Sequence, residues 1–137
     1  MKNFKPPAFQ FWAKDWLASP RRRMMSPTAQ CAYINLLCTA WASDPVGTLP
    51  DAPDELWRLA DISESEWKPI KNIVVAMFEH MDNFPDRLVV PKQREYFERL
   101  IERKEKNSKR GKKGADARWH RDPGIEEMDD DPDGEDA

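Results

Sequence analysis

The sequence predicts a mainly α, small α+β domain followed by a basic helix and an acidic tail, and three observations carry that expectation. Apolar residues recur at helical spacing in four stretches before residue 101. Short runs at Thr48-Leu49-Pro50 and Arg87-Leu88-Val89-Val90 have the character of strands instead. Nearly all the aliphatic residues lie before about residue 101, and only one of the six tryptophans, Trp119, lies beyond it. A core can form in residues 1–101. The remainder lacks the apolar area that offsets ordering entropy.

Charge divides the chain in the same places. Residues 1–86 hold 9 basic and 11 acidic side chains, residues 87–121 hold 13 and 5, and residues 122–137 hold 9 acids and no base. The net charge of -3 is an average over unlike parts. The expected organisation is a globular domain over 1–101, a basic helical or flexible arm over 102–121, and a disordered acidic tail over 122–137. A cationic segment of this kind suits a polyanion, and an anionic one competes with or mimics it.

Taken in order, Phe9, Phe11, Trp12 and Trp16 come after Pro6-Pro7 and predict an extended segment with a helical turn that covers the core. Ser19-Pro20 and Arg21, Arg22 and Arg23 read as an exposed link. Ser26-Pro27 is a helix start, with serine as N-cap and proline at the first helical position. Ala29, Ala32, Tyr33, Leu36, Leu37, Ala40 and Trp41 continue it to about Ser43. After the Asp44-Pro45-Val46-Gly47 turn and a short strand at 48–50, Asp51 and Asp54 suggest an acidic cap. The short helix behind it carries Leu56, Leu59 and Ala60 inward. An Asp61-Ile62 turn leads to Ser63-Glu64-Ser65-Glu66, a capping box. The third helix is expected to reach about Met81, to carry Trp67, Ile70, Ile73, Val74, Met77, Phe78 and Met81 on one stripe, and to start or bend at Pro69. Two strands about the turn 82–86 make a hairpin. A last helix over 92–109 is apolar only in its first half, and Gly111 and Gly114 are expected to break the chain beyond it. Helix, strand, helix, tight turn, helix, hairpin is the layout of a winged helix-turn-helix.

Trp16-Leu17, Met25-Ser26-Pro27-Thr28-Ala29-Gln30, Ala32-Tyr33-Ile34-Asn35-Leu36-Leu37, Trp41, Gly47-Thr48-Leu49-Pro50, Trp67, Phe78, Arg87-Leu88 and Lys112-Lys113-Gly114-Ala115-Asp116-Ala117-Arg118-Trp119 together resemble the YdaU-like prophage domain of unknown function. The resemblance spans about residues 9–121. It implies a place among phage genes, often near replication functions, and kinship with the front domains of replication initiators or replisome organisers; it brings no catalytic residues. The chain departs from the pattern in carrying Asp122 to Ala137 where a larger second domain would stand.

Nucleic-acid contact is expected first from the arm: Lys109, Arg110, Lys112, Lys113, Arg118 and Arg121 can track phosphates and release counterions. Trp119, between Arg118 and His120, can stack on a base. The plainer alternative is a solvated helix end whose tryptophan docks on protein. The candidate recognition helix offers Ser65, Lys68, Lys71 and Asn72, opposed by Glu64 and Glu66 at its entry, where bases are normally read. Arg21, Arg22 and Arg23 together with the wing residue Arg87 could add phosphate contacts if they share a face. The acidic tail either competes with DNA, docks a basic partner, or only solubilises the chain.

Other classes find little support. No glycine loop has phosphate-binding spacing. His80 stands without a nucleophile motif, and the carboxylates of 129–136 have no rigid support. Neither an enzyme, a cofactor nor a metal site is expected. Cys31 and Cys38, seven apart, sit about 10 Å apart along one helix face, too far to pair, and read as buried thiols of a cytoplasmic protein. The longest apolar run, Ile73 to Phe78, is far short of the ~20 residues that span a bilayer, so no membrane role is expected. The preferred expectation is a prophage-type DNA-binding module that supports phage replication. The alternatives are an adaptor that contacts a replication helicase, helicase loader or other protein without DNA, and a transcriptional regulator.

Overall fold

The computed structural model describes residues 6–117. The chain divides into two compact units, one ending at Phe97 and one starting at Glu98.

In the first unit the chain enters extended and is tied down where the Trp41 indole N–H donates to the Pro6 carbonyl at 2.8 Å. Helix α1 (Ala13–Ala18) comes next, and Ser19-Pro20 starts a second helical turn, α2 (Pro20–Arg23), rather than the open link expected. The physical reason lies in Ser19, whose hydroxyl accepts the Arg22 amide, with proline pre-set at the first helical position. Ser26 caps α3 (Pro27–Trp41) by accepting the Ala29 amide at 3.1 Å. Its buried stripe is Ala29, Ala32, Leu36, Leu37, Ala40 and Trp41. Small residues alternate with large ones, so neighbouring elements approach its axis closely.

Gly47 turns the chain back from α3 with a φ of 83°, a region a side chain rarely adopts. Its amide donates to Ala40 at 2.8 Å and its carbonyl accepts from Val90 at 2.9 Å. A Cβ there would stand 3.2 Å from the Arg94 Cδ. Strand β1 (Thr48–Pro50) is next, then a 3-10 turn at Pro53–Glu55 capped by Ala52 without any side-chain bond. The acidic cap expected from Asp51 and Asp54 is therefore not made. Helix α4 (Trp57–Ala60) buries Ala60; Leu56 just before it is buried too, but Leu59 is 37 % exposed, against the expectation that it points inward. Four residues give this helix room for only one inward stripe.

Asp61 ends α4 in the left-handed region at φ 64°, which aspartate tolerates better than most residues. The capping box then forms in full: the Ser63 hydroxyl accepts the Glu66 amide at 3.1 Å, and the Glu66 carboxylate accepts the Ser63 amide at 2.9 Å. The helix it starts is broken rather than continuous: α5 (Glu64–Trp67) and α6 (Lys71–Val75) are separated by a turn at 68–70. Pro69 has no amide to continue the ladder. Residues expected to prolong the helix to Met81 instead form β2 (Glu79–Met81), which turns at Asp82-Asn83 into β3 (Phe84–Val89). The sheet is antiparallel in the order β1-β3-β2, with Leu49 opposite Leu88 and Met81 opposite Phe84.

The core lies between α3, the short helices and the inner face of the sheet. Trp67, Leu36, Leu49, Leu56 and Leu88 are its largest fully buried members. The Trp67 indole N–H is satisfied by the Pro53 carbonyl at 2.9 Å. Helix α7 (Pro91–Ala117) starts in the first unit, where Gln93 donates to the Leu37 carbonyl at 2.9 Å and Phe97 meets Trp41 edge-on. It ends in the second. Gly111 and Gly114 do not break it, contrary to expectation: each costs a helix only about 1 kcal/mol against alanine, and lysine, arginine and alanine surround them. The expected disordered acidic tail, 122–137, lies outside the described residues.

Candidate nucleic-acid interface

The cationic arm is a helix where it is described. Between 106 and 113 the sequence places Lys106, Lys109, Arg110, Lys112 and Lys113 with no acid among them. Lys106, Lys109 and Arg110 are exposed, and their i, i+3, i+4 spacing sets them on one helical stripe. Lys112 and Lys113 extend the same backbone. Glycines suggest a loosened arm; a helix instead fixes the spacing of its charges at a rise of about 1.5 Å per residue. Arg118, Trp119 and Arg121 lie outside the described residues.

The arginine triplet is built into the domain. Arg21 Nη1 donates to the Ala76 carbonyl at 2.9 Å, closing the end of α6, and lies 3.9 Å from the Met77 sulfur. Arg22 folds back on α1, with Nε and Nη2 donating to the Trp16 and Leu17 carbonyls at 2.9 Å each. Arg23 is exposed. A guanidinium keeps its charge while it donates, so the triplet remains a positive patch, but two of its three members hold structure.

The helix pair α5–α6 places its polar residues less favourably for reading bases. Lys68 and Asn72 are exposed. Lys71 Nζ meets the Asp54 carboxylate at 2.6 Å. Such surface pairs contribute little stability, yet this one lowers the positive potential of that face. Glu66 stands at the helix entry as a firm carboxylate: the bonds from the Ser63 amide and hydroxyl hold it below the usual value of 4.5. With four and five residues, neither helix has the length of a major-groove reader. Arg87, expected on an outward wing, turns its Nε to the Thr48 hydroxyl at 3.0 Å and its Nη2 toward the Thr48 carbonyl at 3.5 Å. It pins β3 to β1.

The structure also joins residues that sequence patterning marks as mere cover for the core. Phe9, Phe11, Trp12, Trp16, Tyr33 and Met77 line a cavity of about 200 Å³. Trp16 stacks on Tyr33 at 5.2 Å. Burial pushes the Tyr33 hydroxyl above its ordinary pKa, and the nearby Arg21 acts the other way. Lys92 Nζ lies 4.8 Å from the Trp12 ring and 2.9 Å from the Asp15 carboxylate. A run of four aromatics in eight residues was the available signal; no periodicity could show that they flank a hollow.

Cys31 and Cys38 are free and both exposed, not buried as expected. They stand on the flank of α3 outside its Ala29–Leu36–Ala40 stripe. Among the described residues no cluster of three or more His, Cys, Asp or Glu is arranged to hold a metal, and no helix is long and apolar enough to cross a membrane. No family model matches the chain, and no curated protein or solved structure matches it. The fold and site define a small, mainly helical α+β protein with a three-stranded antiparallel sheet and a long C-terminal helix rich in cations.

Proposed function

We propose that this chain is a DNA-binding module of winged-helix layout whose grip comes from the cationic C-terminal arm. The order α3, β1, α4, α5–α6, β2, β3 and the sheet order β1-β3-β2 support the layout. In it α4 and the α5–α6 pair form the helix-turn-helix around Asp61, and the β2–β3 hairpin is a short wing. The single observation that carries the functional reading is the helical stretch 106–113, five cations without an acid. It meets phosphates rather than base edges, so binding is weakly dependent on sequence.

Base readout is a minor part. The helix that would enter the groove is split at Lys68–Ile70, and Glu64 and Glu66 occupy its N-terminal turn, where bases are contacted. Lys68 and Asn72 are left to touch phosphate. The resemblance to a prophage domain makes support of phage DNA replication the process we propose. The acidic stretch 122–137, tethered to the arm, competes with DNA for it at high effective concentration.

Fluorescence anisotropy with labelled duplex and single-stranded oligonucleotides tests this. The full chain binds at low salt, and the triple reversal Lys106→Glu, Lys109→Glu and Arg110→Glu abolishes binding. Truncation after Arg121 tightens it. Binding that survives the triple reversal would overturn the proposal.

A further inference from the structure

Three of the four large apolar side chains that the described residues leave exposed lie in one short stretch: Phe11, Leu17 and Met24 are 44, 59 and 74 % exposed. Of the three, Phe11 belongs to the wall of the aromatic cavity, and an exposed apolar surface of that kind marks an interaction site where it is contiguous. Trp16, Tyr33, Leu37, Met77 and Val90 also line the cavity, together with the polar residues Gln10, Ser19 and Gln93.

Three cations and one acid stand in or against the cavity's lining. Lys92 lies over Trp12, the Arg22 guanidinium 5.9 Å from the centre of the Trp16 ring, and Arg21 against Met77. Residues 6–24 hold four bases, Lys14, Arg21, Arg22 and Arg23, and one acid, Asp15, which Lys92 pairs. Aromatic rings, methionine and arginine around an apolar hollow are the composition of protein-binding hot spots.

We propose that this cavity docks an acidic peptide segment of a partner protein. One large apolar side chain of the segment enters the hollow, and its carboxylates meet Lys92, Arg21 and Arg22. Leu37, Met77 and Val90 give the hollow an apolar lining, and its polar groups are Gln10, Ser19 and Gln93 besides the Asp15–Lys92 pair; a nucleobase would need those for its polar edges, which are costly to bury unpaired. An aromatic or branched aliphatic side chain needs no such partners. Lys92, Arg21 and Arg22 select acidic flanks over basic ones. The site goes beyond DNA binding by the arm and does not depend on it.

The test is selection of a random dodecapeptide library on the full chain, then anisotropy of a labelled selected peptide. Enriched sequences carry one Trp, Phe or Leu flanked by Asp or Glu. Alanine in place of that anchor costs at least about tenfold in affinity. Phe11→Ser and Lys92→Glu each weaken the peptide by about tenfold while circular dichroism stays that of the parent, and the double reversal Lys109→Glu and Arg110→Glu leaves it unchanged. Basic or featureless peptides, or equal binding by both cavity variants, would overturn the proposal. So would an oligodeoxythymidine that displaces the peptide and is itself weakened by Phe11→Ser, since the hollow would then take a base.

Discussion

Gly111 decides whether the arm acts as a helix or as a loose tether. It sits inside α7, and a Cβ built on it meets nothing within 4 Å. Gly111→Ala therefore adds no contact and removes none; it changes only what the backbone loses on becoming helical. That difference is about 1 kcal/mol in favour of alanine, or roughly a fivefold shift in the local equilibrium between helical and frayed states. Gly111→Pro acts in the opposite sense by about 3 kcal/mol, because its ring strikes the carbonyl four residues back and its amide is lost. Amide hydrogen exchange along 105–115 reads both directly. Protection should rise about fivefold in Gly111→Ala and collapse around the site in Gly111→Pro, while the amides of α3 stay as they were. If neither substitution alters exchange there, the segment is not helical in solution, and the fixed stripe of Lys106, Lys109 and Arg110 goes with it.

Three further outcomes rest on the fold. Arg87→Ala removes the bond to the buried Thr48 hydroxyl and should lower stability by about 1 kcal/mol in urea titration, with little effect on DNA affinity; a large affinity loss at unchanged stability would return Arg87 to the DNA face. Ser63→Ala deletes the cap of α5 and should cost about 1 kcal/mol, some 4–8 °C in melting temperature for a domain of roughly this size. Glu66, whose folded carboxyl is held below its usual value of 4.5, contributes stability that is present above that value and lost as pH falls through the folded one. The stability difference between the parent and Glu66→Gln should therefore shrink on acidification below about pH 4.5 and stay level above it.

The legible parts of the fold were those written in local chemistry. Ser26-Pro27, the Ser63–Glu66 box and the Asp61 turn each fix backbone groups within a few residues, and all three form as their sequence predicts. The same holds for the strand at 48–50. Continuity was harder to read. Apolar spacing runs on from Trp67 to Met81, yet Pro69 splits the helix, and Glu79–Met81 takes the extended form because β3 offers backbone partners. That pairing depends on residues beyond the window in which periodicity is judged. Glycine misleads in the other direction: Gly111 and Gly114 weaken a helix without ending it when their neighbours favour one. For the candidate interface, charge pattern locates the arm but cannot tell which cations are engaged elsewhere. Arg21, Arg22 and Arg87 close backbone carbonyls and a buried hydroxyl, contacts between segments that lie far apart in the chain or fold back on it. The cavity beneath Phe11 and Trp12 leaves no mark in spacing at all.

The most direct test of the central claim is the salt dependence of DNA binding. Each phosphate neutralised on a duplex contributes about -0.9 to the slope of log K against log salt. Five cations over 106–113 therefore predict a slope between about -3 and -4.5, and Lys109→Ala with Arg110→Ala should make it shallower by roughly 2. A slope near zero, or one that the double substitution leaves untouched, would mean that the arm does not hold DNA.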